Sequence, residues 1–234
     1  MPTSGVDVLT RTARQVIKRA FVLINAVPAT QDVREPDELY AVDVLNEMTQ
    51  HWTTCGVTAW RKQSATFQPV QGQAEYTINE RPLEVISLRW VQVGGTEIPL
   101  HEITHDEYFD LPNKETEGLP SQYYVRRDRT TTTVFLWPTP CQITTESVAL
   151  TYNRRTQIVE PANVDTQEID LPQEWLDTVT YCLAARLADS YGGDSQIVGR
   201  VTARSEQMFE MLKMYEREGD QHFLVDETYT LNAY

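Results

Sequence analysis

The chain is poor in cysteine, and the placement of its cysteines excludes more than their number. Cys55, Cys141 and Cys182 are the only three in 234 residues, widely separated and odd in count. No C-x-x-C pair occurs, so neither a zinc knuckle nor a dithiol redox motif can be built. The plain reading is three buried structural thiols. Long apolar runs are also lacking: nothing approaches the ~20 residues that cross a bilayer. The N-terminal stretch has no charged start, apolar run and small-residue cleavage site in series. That predicts a protein made and kept in a cytoplasm, with no membrane partner. No G-x-S-x-G, Walker loop or G-x-G-x-x-G occurs. His51 and His222 have no recognisable partner in sequence. No cofactor is implied.

Positive charge is scarce. There are 20 Lys and Arg against 34 Asp and Glu, a net charge of −14. Residues 1–63 are balanced at 7 of each sign, residues 64–160 carry −5, and residues 161–234 carry −9. A last third this acidic repels phosphates. It argues against a protein that grips DNA and is compatible with one that DNA slides past.

What is present is an ordinary globular composition, 41% apolar and 23% charged, long enough for one large domain or two small ones. Helical periodicity marks both ends. The stretch Thr3 to Val27 reads as an amphipathic helix, with Leu9, Ala13, Val16, Ile17, Ala20 and Ile24 as one stripe. Arg11, Arg14 and Lys18 gather on another face. After a loop with two prolines, Pro36 suits the first turn of a second helix. Leu39, Val42, Leu45, Met48 and Trp52 form its buried side, and Gly56 is placed to end it. Helical pattern returns after "DLPQEW", with Trp175, Val179, Cys182, Leu183 and Leu187 on one face up to Gly192-Gly193. A last helix carries Ile197, Val201, Met208, Leu212 and Tyr215, closed by Gly219.

Between these pairs the period is two. In "LEVISLRWVQVGG", Ile86, Leu88 and Trp90 point one way, and Val85, Ser87, Arg89 and Val91 the other. Gly94-Gly95 signals a hairpin. Further strands are expected at Thr96–Leu100, Gln122–Arg126, Thr132–Trp137 and Ser147–Tyr152, with a polar loop from His101 to Pro120. The expected fold is α+β. An antiparallel four-helix bundle is formed by the N- and C-terminal helical pairs (residues 1–63 and 161–219). An antiparallel β domain (64–160) is inserted, and an extended C-terminal tail (220–234) follows.

Three segments carry candidate chemistry. "HEITH" fits H-E-x-x-H, in which His101 and His105 would hold Zn²⁺ and Glu102 would serve a bound water. The context disfavours this hydrolase reading: Pro99 precedes it closely, and Tyr108 and Leu111 stand where the metzincin Gly and third His belong. "YYVRRDRTTTTVFLWP" interleaves arginines with aromatics. As a single-strand-binding face it would use Arg126, Arg127 and Arg129 on phosphates and Tyr123, Tyr124, Phe135 and Trp137 as stacking platforms. As a hairpin turning at Asp128 it would send half of those rings into a core, and such composition is ordinary for strands. In the tail, Phe223, Leu224, Val225, Tyr229, Leu231 and Tyr234 follow no helical period. Disordered tails are poor in aromatics, so these read as anchors that order on a partner.

The order and spacing of the pieces resemble the head-to-tail adaptors of tailed phages, the tail accessory factors (packaged-DNA stabilisation proteins) and tail tubular protein A. The resemblance rests on "TARQVIKRAFVLINAV" with "DELYAVDVLNEMTQHWTTCG", on Leu45, Asn46 and Trp52 within it, and on "ITHDEYFDLPNK". It also rests on "YYVRRDRTTTTVFLWPTP" and "IDLPQEWLDTVTYCLAARLADSYG". Together these span about the first nine tenths of the chain. The resemblance implies a structural protein of the virion neck rather than an enzyme. It implies a ring, typically dodecameric, below the portal protein, through which DNA passes without specific binding and onto which the tail nozzle docks. It implies portal contact through the tail at Phe223, Leu224, Tyr229 and Tyr234, with the hairpin tip at Arg127 and Arg129 toward the tail side. The Arg11, Arg14 and Lys18 face is expected to meet an acidic helix of the next subunit. A stopper or tail completion protein is a neighbouring alternative.

Overall fold

The computed structural model of the protein describes residues 9–55, 59–78, 81–141, 146–192 and 194–221. The chain divides into two units, Met1–Ala59 with Thr156–Tyr234, and Trp60–Arg155. The fold is α+β, with five α-helices and largely antiparallel sheets among the described residues.

The first unit holds α1 (Ala13–Leu23), α2 (Glu35–Thr54), α4 (Leu176–Tyr191) and α5 (Ser195–Gln221). Helix α4 packs against each of the other three. Its Val179, Leu183, Ala184 and Leu187 are fully buried, as are Val16, Ile17 and Ala20 of α1 and Val42, Leu45 and Met48 of α2. Trp52 stacks on Phe209 at 5.1 Å and lies 5.5 Å from Trp175, tying α2 to α5 and to the turn that starts α4. Helix α4 ends at Tyr191, and Gly192 follows it where any Cβ would collide with the Ala188 carbonyl and with Val198.

The helix stripes differ from the sequence reading at four places. Helix α1 starts at Ala13, since Thr12 donates its N–H to the Gln15 side chain (3.3 Å) and bridges to Glu168. Leu9 and Arg11 therefore precede the helix, and Leu9 is exposed. Leu39 is 44% exposed rather than buried. Helix α5 continues through Gly219 to Gln221. Cys55 is exposed at the end of α2, with Cys141 and Cys182 half-buried, so the thiols are not uniformly core residues. Gly56, Gly193 and the side chain of Tyr215 lie outside the described residues.

The second unit is a two-sheet sandwich. One sheet has the order β1 (Lys62–Phe67), β10 (Ser147–Asn153), β3 (Glu84–Val91), β4 (Glu97–Pro99). The other has β2 (Glu75–Ile78), β8 (Thr132–Trp137), β7 (Gln122–Arg127), β5 (His101–Glu102). Trp90, Leu88, Val148 and Leu150 from the first sheet meet Tyr123, Val134 and Leu136 from the second in one core. The pairings are antiparallel except for two short parallel ones. These are β5 with β7, and β6 (Glu117–Gly118) with β9 (Thr139–Pro140).

Strand β3 corrects the expected alternation. Val85 is buried and Ile86 is 41% exposed, while Leu88 and Trp90 are buried as expected. Ser87 pairs with Thr151 and Val85 pairs with Tyr152, leaving Ile86 without a partner. This is a β-bulge: one extra residue reverses the facing of everything before it.

Candidate interaction surfaces

The cations of α1 lie beside α2. Arg14 grips Glu38 through two parallel bonds, Nε to Oε1 at 2.7 Å and Nη2 to Oε2 at 2.8 Å, and also contacts Asp165. Glu38 is 7% exposed, so this fork neutralises a nearly buried carboxylate. Its hydrogen bond raises the Arg14 pKa further. Lys18 pairs with Asp32 at 2.7 Å, and its hydrogen bond holds the Asp32 carboxyl below its ordinary pKa. Arg19, which the sequence reading left out of the face, pairs with Asp177 at 2.9 Å. Arg14 and Lys18 thus share one polar recess of about 350 Å³ with Asp32, Glu35 and Glu38. Arg11, ahead of the helix, does not line it. The spacing of Arg14 and Lys18 made their shared face legible; their acidic partners come from elsewhere in the chain and were not.

Asn46 positions the return from the second unit. Its Nδ2 donates to the Val159 carbonyl at 2.9 Å, and its Oδ1 accepts from the Val159 N–H at 2.8 Å. Gln50, one helical turn on, donates to the Thr156 carbonyl at 3.0 Å. Further along, Ala13 and Arg14 donate their N–H groups to the carbonyls of Gln167 and Val164. The Leu45-Asn46 element was noticed in sequence; what Asn46 holds was not.

The H-E-x-x-H residues do not share a helix. His101 and Glu102 form strand β5, and His105 opens a five-residue helix, α3 (His105–Phe109). Thr104 caps α3, its hydroxyl and N–H both meeting the Glu107 carboxylate. That hydrogen bonding holds Glu107 below its ordinary pKa. Glu102 faces the Tyr123 hydroxyl at 3.5 Å, and the His105 ring lies 4.4 Å from Phe109. The geometry required of a helical zinc motif is not formed.

The arginine-aromatic hairpin is β7 and β8, in the register Tyr123↔Leu136, Tyr124↔Phe135. Tyr123 enters the sandwich core. Tyr124 and Phe135 face the other way, but Tyr108 of α3 stacks on Tyr124 at 5.2 Å and lies tilted against Phe135 at 5.3 Å. Both faces are therefore covered, and Tyr123 and Tyr124 are 2% and 8% exposed. Trp137 donates its indole N–H to the Asn113 carbonyl. Arg126 lies over the Phe135 ring and pairs with Glu75 and Asp128. Tyr123 and Tyr124, so enclosed, offer no platform for bases, and Phe135 and Trp137 are half-buried. Arg127 is exposed at the end of β7 and Arg129 in the turn, neither in an ion pair among the described residues. The tail anchors Phe223, Leu224, Tyr229 and Tyr234 lie outside the described residues.

No curated protein matches the chain. Among solved structures, a chain of the "Neck of empty GTA particle computed with C6 symmetry" is similar over 82% of this chain and 93% of that one. The identity is 11% and the TM-score 0.30. The family model described as SU10 adaptor protein matches residues 11–226. That span contains every motif on which the likeness to phage head-to-tail adaptors was drawn, and the chain belongs to the SU10 adaptor protein family.

Proposed function

We propose that the protein is a structural head-to-tail adaptor of a tailed phage, of the short-tailed kind. It assembles as a ring, dodecameric in the virion, below the portal protein. The ring extends the DNA channel, retains packaged DNA and receives the nozzle protein. The observation that carries this reading is the family match along residues 11–226. The charge distribution supports it: residues 161–234 carry −9, suited to a bore past which a polyanion moves without adhering. The helices of the first unit, as an antiparallel four-helix bundle, form the ring body. The subunit contact is proposed on the face of Arg11, Arg14 and Lys18, as a heterologous contact that closes. The exposed Arg127 and Arg129 are proposed to meet the nozzle side.

Mixing the protein with its cognate portal, with and without residues 220–234, followed by electron microscopy, tests this. A ring seated on the portal is expected. A lone subunit that clamps oligonucleotides at ordinary ionic strength, or a chain that never joins a portal, overturns it.

A further inference from the structure

Two helices of the first unit each turn a face of mixed apolar and charged residues to solvent. On α2, Leu39 and Tyr40 are 44% and 42% exposed. Asp43 and Glu47, both exposed, follow on the same side at four-residue spacing. The Tyr40 hydroxyl bonds to Ser190 at 3.0 Å and its ring tilts against Tyr191, which holds it in place. On α5, Arg200, Arg204, Gln207, Met211 and Met214 recur at intervals of four, three, four and three, one stripe of the helix. Met211 and Met214 are 62% and 63% exposed. Glu206 and Glu210 lie on the flank of that stripe, and Glu210 is paired with Lys213 at 3.0 Å. Among the described residues, Asp43, Glu47 and Arg200 enter no ion pair, and Arg204 bonds to Gln207 at 3.2 Å.

A lone exposed apolar side chain needs no explanation. Here each helix presents two together, and their distance from the charges is the same on both. Tyr40 and Glu47 are seven residues apart on α2, and Met211 and Arg204 are seven apart on α5. Each interval is about 10 Å along its helix axis. Laid antiparallel, the two faces bring Met211 onto Tyr40, Met214 beside Pro36, Gln207 beside Asp43 and Arg204 onto Glu47. Arg200 falls one turn beyond. Laid parallel from the same Tyr40–Met211 contact, they would set Asp43 on Met214 and Glu35 level with Glu206, an acid on an apolar side chain and an acid beside an acid. The charges thus select one direction.

Both faces are exposed in the subunit, so the occupant of each is the other face on a second copy. We propose that the outward face of α5 of one copy packs antiparallel on the outward face of α2 of the next, with methionine on Tyr40 and Arg204 on Glu47. Two different faces meet, so the contact is heterologous and closes into a ring. Unbranched methionine side chains fit themselves to an irregular partner surface. Leu39 also lines the recess of Arg14 and Lys18, so the contact is continuous with the basic face of α1. The inference rests on the ring reading above and names the helix that covers this side of the subunit.

The test is assembly of full-length protein on the cognate portal, read by sedimentation and electron microscopy, for Glu47→Arg, Arg204→Glu and the double variant Glu47→Arg/Arg204→Glu. Each single variant is expected to raise the concentration for half-assembly by about tenfold or more, because like charges then face each other. The double variant is expected to recover most of that loss, which a merely structural role of either residue would not produce. In a parallel mixture on the portal, Tyr40→Cys copies and Met211→Cys copies, both carrying Cys55→Ser, are expected to cross-link to each other, mapped by peptide mass spectrometry. Single variants that assemble like wild type, a double variant no better than the singles, or absence of the 40–211 cross-link overturn the helix pairing and leave the adaptor reading standing. Failure of wild-type protein to join the portal overturns both.

Discussion

Asn46 holds Val159 by both atoms of its amide, one donating to the carbonyl at 2.9 Å and one accepting from the N–H at 2.8 Å. A side chain on α2 thereby does for Val159 what a neighbouring strand would do. No apolar residue of similar size can replace it, because both backbone groups of Val159 would lose their partner in a part-buried place.

Asn46→Leu is expected to cost about 2 kcal/mol, roughly 1 kcal/mol for each lost bond. Denaturant unfolding followed by far-ultraviolet circular dichroism checks it. A midpoint indistinguishable from wild type would show that water replaces the clamp without loss.

The bulge in β3 reverses two expectations. Ile86 is 41% exposed and without a cross-strand partner, while Val85 is 3% exposed against Tyr152. Ile86→Thr is expected to change stability by less than about 0.5 kcal/mol. Val85→Ala removes two buried methyl groups and is expected to cost about 2 kcal/mol. Simple alternation predicts the opposite order, so measuring both variants in one denaturation series discriminates between them.

Much of the architecture was legible because local signals agreed with the global fold. Pro36 starts α2, Gly192 ends α4, and the strands on either side of Asp128 pair as the alternation required. The failures were tertiary. Helix α1 begins where Gln15 and Glu168 stop Thr12 from joining it, which the Leu9 stripe could not reveal. Tyr124 and Phe135 looked available for stacking because α3 is only five residues long and gave too weak a pattern to be seen covering them. At the candidate surfaces, the basic face of α1 was visible from the spacing of Arg14 and Lys18. Its neutralisation by Glu38, Asp165 and Asp32 was not, since those residues are distant in sequence.

Alkaline pH should loosen the sandwich through its buried tyrosines, in a range where every carboxylate is already ionised. Burial, with Glu102 adding to it, pushes the Tyr123 hydroxyl up to about 12, against about 10 in an unfolded chain. Burial shifts Tyr76 and Tyr108 upward as well. The folded state keeps a proton that the unfolded state has already released. Stability from this source is therefore complete below pH 10 and is lost as pH rises from about 10 to 12. Tyr123→Phe is expected to flatten the slope of unfolding free energy against pH in that window. An unchanged slope would assign the loss to other groups.

The thiols give a separate reading of the first unit. Cys55 is exposed, its sulfur 3.7 Å from the His51 Nε2. Cys182 lies between α4 and α5, its sulfur 3.8 Å from the Ser205 carbonyl, and desolvation pushes its thiol up to about 12. At pH 8 only about one Cys182 in 10⁴ is then a thiolate, and the thiolate is the reactive form. Alkylation at pH 8 should therefore label Cys55 first, with Cys182 following only when α4 and α5 separate. Adding denaturant below the unfolding midpoint should leave the order unchanged, and crossing the midpoint should bring Cys182 up to the rate of Cys55. Peptide mass spectrometry over a labelling time course reads each site. Equal rates in native protein would mean that α5 does not stay packed on α4 in solution.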